Sequence, residues 1–376
     1  MASVRLKIGI LSMQKVVNHG SFLQAYALLQ IIKKLRPNAI VEFIDIRPGK
    51  LLYKKNKIQR LCYRLNTLLD DKSILAYMKR YILRKRRKKL YQKLWHIYLN
   101  ISKEHNWDTF FDTIVIGSDE VFNCLQDTPW GFAKNLLGEG LSCNNIITYA
   151  ASCGSTTFSK VEHKGLSDDV KNAIRNIQYF SVRDENTYQF VKKFADKNAY
   201  IHLDPVLLYD YKNNLDLNKK TIFDRYILIY SYTNRIKKEE IIAICNFAES
   251  NNLEIISVYG YQYWCKYNLL LSPFDVLLYF KKATYVITDT FHGSILSIKY
   301  NKQFVAFVRG EKEISPNLFK LRYLLGIFNL QNREILKLED IPIILKQEIN
   351  FTDMNTIISK QIERSLEYLD KYLCNA

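Results

Sequence analysis

Several features that would place a chain in a familiar class are missing here. Seven cysteines, Cys62, Cys124, Cys143, Cys153, Cys245, Cys265 and Cys374, include no C-x-x-C pair. That pattern argues against a disulfide scaffold or a zinc site and favours a reducing compartment. No stretch approaches ~18 uninterrupted apolar residues, so no membrane span is expected. A strand pattern begins at Leu6, leaving no room for a signal peptide. No His/Cys/carboxylate group has metal-ligand spacing, so neither a metal nor another cofactor is expected. Internal repeats are absent too. These gaps together point to a cytoplasmic protein.

What remains is ample core-forming material. At 376 residues, 48% apolar and 13% aromatic, the chain is too long for one ordinary core, and two domains are expected. Acids are scarce in one place. From Lys50 to Trp107 there are 17 Lys/Arg against three acids, so 17 − 3 = +14 of the total +18 lies there. This block contains the run Arg84-Lys85-Arg86-Arg87-Lys88-Lys89, and a helix is expected over Ile74–Tyr98. A basic block so localised implies an acidic partner or a membrane surface rather than a property of the fold.

The chain opens as strand, helix, strand: Leu6–Leu11, then Phe22, Ala25, Tyr26, Leu28, Leu29, Ile32 and Leu35 at helical spacing, then Val41–Asp45. Strand-like runs return at Thr113–Ile116, Ile146–Ala150, Phe180–Val182 and Tyr200–Leu203. Asp204-Pro205 is a strong breaker and marks the expected domain boundary. A second series follows, with strands at Tyr226–Tyr230, Glu254–Val258, Tyr285–Thr288 and Phe304–Phe307 and a helix over Lys237–Glu249. The tail, Asp353–Tyr372, reads as one amphipathic helix. The expected fold is α/β, with two Rossmann-like domains facing a cleft and the ligand beyond the C-terminal strand ends.

The most informative segment is Thr288-Asp289-Thr290-Phe291-His292-Gly293-Ser294. It joins a buried-strand pattern to a helix start. A histidine is thus set at a strand-to-helix turn, where unpaired amides and the helix dipole favour anions. An imidazole there suits general acid/base work; a histidine that merely caps the helix is the plainer alternative.

Four segments, in order, resemble the polysaccharide pyruvyl transferase family. They are Gly9–Leu11 with Asn18-His19-Gly20-Ser21-Phe22-Leu23-Gln24; Val115-Ile116-Gly117-Ser118-Asp119-Glu120; Tyr149–Gly154 with Ser181-Val182-Arg183-Asp184; and Leu203-Asp204-Pro205 leading to Thr288–Ser294. The resemblance implies a GT-B-like fold and transfer of pyruvate from phosphoenolpyruvate onto two hydroxyls of a sugar, as a cyclic ketal, in capsular or exopolysaccharide synthesis. It places the family histidine on His292. Some members carry an Arg two residues earlier that helps hold the donor; this chain has Thr290 there.

With that donor in view, residues 1–208 are expected to form the acceptor-side domain, interrupted by the basic helical insert 50–107. Residues 209–350 would form the donor side, and the helix in 351–376 would pack back on the body. His292 is the expected acid/base, with Asp289 orienting its ring. Phosphate and carboxylate call for cations, so Arg183 is the first choice, followed by Lys302 and Arg309, with amides from Gly293 and Ser294. For Arg183 an ion pair with Asp184 is an equal alternative. Asn18, Ser21 and Gln24 either bind sugar hydroxyls or cap the first helix, and Gly20 permits close approach. Asp119 and Glu120 either orient an acceptor hydroxyl or cap the next segment.

The basic insert, with Tyr63, Leu65, Leu68, Leu69, Leu75, Tyr77 and Met78 interspersed, is expected to seat on anionic lipid or a lipid-linked acceptor, giving peripheral attachment at the inner membrane face; a solvated helix face is the alternative. Two other functions compete. A GT-B glycosyltransferase using a nucleotide sugar would need a glycine-rich phosphate loop or a Glu-rich ribose-binding pattern, and neither is evident. A nucleic-acid-binding protein would account for the basic run but for nothing else, so no nucleic-acid partner is expected.

Overall fold

The computed structural model describes residues 5–53, 73–101, 104–308 and 316–373, the side chains of 316–319 excepted. The first half contains β1 (Lys7–Leu11), α1 (His19–Leu35), β2 (Ile40–Phe43), α2 (Ile74–Leu99), β3 (Phe111–Asp119) and β4 (Cys143–Ala151). Next come α3 (Phe158–His163), α4 (Ser167–Ile174), β5 (Phe180–Val182), α5 (Glu185–Ala195), β6 (Ala199–Ile201) and α6 (Pro205–Leu208). Its strands form a parallel sheet in the order β2-β1-β3-β4-β5-β6.

The second half contains β7 (Tyr226–Tyr230), α7 (Lys238–Ser250), β8 (Glu254–Ser257), β9 (Tyr267–Asn268), α8 (Pro273–Lys282), β10 (Tyr285–Thr288), α9 (Phe291–Lys299) and β11 (Gln303–Ala306). These strands form a second parallel sheet, β11-β10-β7-β8-β9. The chain ends with α10 (Pro316–Ile327), α11 (Asp340–Lys346) and α12 (Phe351–Tyr372). Central strands β3 and β7 are buried almost throughout, as parallel sheets covered on both faces require. This is the α/β fold with two Rossmann-like sheets expected from the strand–helix rhythm.

Helix α8 is an addition to that expectation. Its Ser272 cap accepts from the Asp275 amide, and Pro273 occupies the first helical position, a start signal that was present in the sequence.

The two halves do not merely face each other. Helix α1 is buried from His19 nearly without break to Ile32, because one apolar cluster runs through it from Ile8, Val115 and Tyr149 to Tyr226, Leu228, Val286 and Phe304. Phe274 of α8 packs edge-on against Phe22 at 5.7 Å and Tyr26 at 5.1 Å, contacts typically worth ~0.5–1.5 kcal/mol each beyond burial. Helix α12 then returns to the first sheet. There Tyr368 donates to the Thr148 carbonyl at 3.1 Å, and the Tyr372 ring stacks on Tyr179 at 4.0 Å.

Helix α2 divides in two. Its C-terminal half is anchored by buried Tyr91, Leu94 and Leu99, while Ile74, Leu75, Met78, Tyr81 and Ile82 are exposed. Arg84, Lys85, Arg86, Lys88 and Lys89 are exposed as well. Of the apolar residues expected to seat at a membrane, Tyr63, Leu65, Leu68 and Leu69 lie outside the described residues. Among the described residues no helix is long and apolar enough to cross a membrane.

Candidate active site

One pocket, with a cavity of ≈ 60 Å³, gathers side chains from the C-terminal ends of strands in both sheets. From the first half come Asn18 and Ser21 after β1, Asp119 and Glu120 at the end of β3, and Arg183 just after β5. The second half contributes Tyr232 after β7, Tyr259 after β8, and Asp289 to His292 after β10, with Lys320 and Leu321 from α10. This is where α/β sheets place ligands.

His292 is nearly buried, and its Nε2 stands 3.5 Å from Asp204 Oδ2, too far for a well-formed hydrogen bond. Asp204 itself is buried. It accepts from Arg183 Nη1 at 2.8 Å and, through Oδ1, from the Val206 amide at 3.0 Å, so the Asp204-Pro205 turn builds the site. Burial would raise its pKa, but the His292 imidazole, the Arg183 guanidinium and the Val206 N–H together hold it down to about 2. The structure therefore corrects one expectation. The carboxylate beside His292 is Asp204, from the other half of the chain, whereas Asp289 lines the pocket with Oδ1 accepting from the Tyr232 amide at 3.2 Å and Oδ2 3.9 Å from Arg235.

Arg183 is buried, lies 4.0 Å from Asp119 Oδ1, and sits over the Phe291 ring at 4.2 Å. Burial works against its charge, but Asp204 and Asp119 more than compensate and its pKa is raised. Its partner is Asp204, not Asp184, which caps α5 through the Thr187 amide at 2.9 Å. Among the described residues the buried Nε–H of Arg183 has no partner.

Asp119 accepts from Ser21 Oγ at 2.5 Å. Glu120 pairs with Lys320 and accepts from Asn123 at 2.7 Å. Burial pushes the Glu120 carboxyl up, yet Lys320 and then Asn123 bring it to about 2. Burial, followed by the Glu120 charge, pushes Tyr232 up to about 12, which leaves that phenol a donor rather than a base.

Other expected residues are placed differently. Asn18 caps α1, with Oδ1 accepting from the Gly20 amide at 2.7 Å, and also donates to Tyr259 at 2.8 Å on the pocket wall. Gly20 backs His292: a Cβ there would fall 2.2 Å from the imidazole Cγ, so the close approach it permits is by that ring. Gln24 is buried and holds Ser12 Oγ and the Ser21 carbonyl, each at 3.0 Å, so its amide is withdrawn from any sugar. The Gly293 amide donates to the Thr290 cap at 2.9 Å and the Ser294 amide to the Thr290 carbonyl at 3.2 Å. Neither is left for a donor, because the cap consumes them. Lys302 precedes β11 and donates to Ala283 at 3.1 Å, at the sheet end away from the pocket. Arg309 lies outside the described residues.

Asp204, Lys320, Tyr232 and Tyr259 were not anticipated as site residues. Asp204-Pro205 was visible as a turn, but nothing local announces its partner; Lys320 sits in no motif.

The model of the polysaccharide pyruvyl transferase family matches residues 18–311. The chain belongs to that family. The match covers both walls of the pocket, from Asn18 to His292, though not Lys320. No curated protein matches this pyruvyl transferase family member. Among solved structures, a UDP-GlcNAc 2-epimerase from Neisseria meningitidis bound to UDP-GlcNAc superposes with a TM-score of 0.49 at 8% identity, covering 98% of this chain and 99% of that one. The calicheamicin glycosyltransferase CalG4 gives 0.45 at 12%, covering 98% of each chain. The glycosyltransferase SnogD from Streptomyces nogalater gives 0.43 at 8%, covering 97% and 99%. Likenesses of this size carry nothing about activity.

Proposed function

We propose that this pyruvyl transferase family member moves pyruvate from phosphoenolpyruvate onto two hydroxyls of one sugar, forming a cyclic ketal in capsular or exopolysaccharide synthesis. The observation that carries the reading is the convergence, in one small pocket, of the His292 imidazole with the buried, partly unpartnered Arg183 guanidinium. A buried N–H without a partner calls for an acceptor, and an anionic three-carbon donor supplies one. Arg183 and Lys320 take the task that an Arg at the Thr290 position performs in some relatives, and Arg183 meets phosphate or carboxylate through its fork of donors.

In the reaction the enol π bond takes a proton at the methylene carbon, and the oxocarbenium carbon so formed takes one acceptor oxygen. That hydroxyl loses its proton; a second hydroxyl then displaces phosphate, which leaves with the remaining proton. His292 gives the first proton and takes the next, a role typically worth ~10²–10⁴ in rate. Asp204 fixes the ring and offsets the imidazolium charge. Asp119, held by Ser21, orients the acceptor hydroxyl.

The exposed half of α2 carries the second part of the proposal: its apolar residues and flanking cations hold the enzyme on an anionic membrane surface, where a lipid-linked acceptor is presented. Each basic residue near such a surface adds ~1 kcal/mol.

The test is incubation with phosphoenolpyruvate and a panel of lipid-linked glycans. Phosphate release with matching mass gain on the acceptor is expected, as is thermal stabilisation by phosphoenolpyruvate and not by nucleotide sugars. Stabilisation by a nucleotide sugar alone would reverse the reading. For the membrane, co-flotation with vesicles containing phosphatidylglycerol at physiological salt, lost in R84E/K85E/R86E, is expected; equal retention on DNA would remove it.

A further inference from the structure

Next to the pocket, on the seam between the two halves, lies a larger groove of ≈ 610 Å³, within the ~300–1,000 Å³ usual for ligand sites. The two chambers share both walls in consecutive residues. On one wall Arg183 faces the pocket and Asp184 the groove, which continues along α5 through Glu185, Asn186 and Gln189. On the other, Lys320 and Leu321 line the pocket while Tyr323 and Gly326, further along α10, line the groove.

We infer that this groove is the acceptor subsite, holding the neutral sugar units that precede the one being modified. The inference rests on the family's sugar acceptor and deepens the proposed function. Charge selects the occupant. The groove carries the Asp184 and Glu185 carboxylates, and Arg322 at its edge is neutralised by a two-point contact with Glu334 at 2.9 and 2.6 Å. An anionic donor is repelled from such a surface, whereas a neutral polyol is not.

The remaining chemistry fits a sugar. Tyr323 is half-buried and offers an apolar ring with a polar tip. Burial, then Glu185 and Asp184, raise its pKa, so the phenol keeps its proton to donate. Asn186 spends its amide hydrogens on Cys153 Sγ and the Gly154 and Thr156 carbonyls at 3.0, 3.4 and 3.2 Å, which leaves the exposed Gln189 amide, held by Glu185 at 2.8 Å, to meet a ligand. Pre-set planar groups of this kind lose little entropy when a ligand binds. The groove therefore divides the labour of the seam: donor chemistry in the small chamber, recognition of the glycan chain in the large one.

Gly326 provides the test. A Cβ added there meets nothing nearer than Gln331 Nε2 at 3.9 Å, so G326W fills the groove without entering the core, and G326A serves as control. The probe is an array of neutral oligosaccharides of one to six units, scored by direct binding. Wild type and G326A are expected to retain at least one oligosaccharide longer than a monosaccharide. G326W and Y323A should weaken it by about tenfold or more, with thermal stabilisation by phosphoenolpyruvate unchanged. No oligosaccharide retained by wild type, or equal retention by both variants with the wild-type melting temperature, overturns the inference. Sugar binding is read here without turnover, so a failure of pyruvyl transfer registers separately, in the phosphate-release assay.

Discussion

Two histidines lie on either side of Gly20 in this molecule, one beside it in the chain and one pressed against it in space, and their surroundings are opposites. His19 opens α1 among the rings of Tyr91, Tyr230 and Tyr259, at 6.1, 5.9 and 5.7 Å. Its Nε2 is 3.4 Å from the Leu271 carbonyl, and burial, reinforced by the Arg87 charge, lowers its pKa to about 3. His292 comes from the other half and faces the Asp204 carboxylate on the pocket wall. The difference is why the proposed chemistry falls to His292 rather than His19. Both are buried and both begin a helix; only one has a counter-charge and an opening.

Exchanging the two environments should therefore produce unequal damage. H292A is expected to cut pyruvyl transfer by ~10²–10⁴ with the fold intact, whereas H19F keeps most of the rate because no proton passes through His19. Phosphate release measured in parallel for both decides the matter, and comparable losses would erase the contrast. D204N comes next. Removing one partner of a buried ion pair costs ~3–5 kcal/mol, so Arg183 is left uncompensated and the melting temperature falls. The rate should fall further than stability explains, as kcat rather than the KM for phosphoenolpyruvate, because Asp204 acts through His292.

How much of this contrast could be read from residues alone follows from distance along the chain. The Thr288–Ser294 turn is local: an apolar strand, a capping threonine and a helix start are contiguous, so His292 was legible as a site residue. The strands were legible for the same reason, since β7 is a continuous apolar run and β3 carries one at Ile114–Ile116. Asp204 was legible only as part of the breaker it forms with Pro205; its meeting with His292, 88 residues later by subtraction, is made by packing the two halves across α1. Gln24 illustrates the opposite error. Proximity to the Asn18–Ser21 loop suggested a ligand contact, but one turn into α1 its side chain points into the core. Gly293 and Ser294 were misjudged because Thr290, a capping residue three before Gly293, spends the amides that an anion would have used.

Acidification sharpens the comparison from the stability side. His19 has a folded pKa of about 3 against an ordinary 6.5, so between those values the unfolded chain binds the proton and the folded chain does not. Its contribution is complete above pH 6.5 and is lost progressively as pH falls toward 3, on the order of a few kcal/mol. Asp204 and Glu120, both held near 2, act only below about 4.5. His202, lowered to about 4 by burial and then the Arg364 charge, contributes over the same range, so denaturant melts at pH 7.5 and pH 5 should differ clearly for wild type and by about half as much for H19F. An identical pH dependence in the two proteins would remove His19 as the origin.

The smallest expected effect is also the most discriminating, because it touches Gly20, which both histidines share. A methyl group there would stand 2.2 Å from Cγ and Nδ1 of His292, too close for any real contact. Gly20 lies in the first turn of α1, where alanine is intrinsically favoured by up to ~1 kcal/mol over glycine, so G20A has no backbone reason to unfold. The same Cβ would stand 2.7 Å from the His292 Cβ, so turning the ring is not enough; α1 and α9 must part slightly, which carries the imidazole away from Asp204. G20A should therefore lower kcat by roughly tenfold, in line with the sensitivity of catalysis to sub-ångström misplacement, and leave the H19-dependent acid transition where it was. An unchanged kcat would mean that the position of the imidazole against this glycine is immaterial to the reaction; a shifted acid transition would mean that the two histidines are not independent after all.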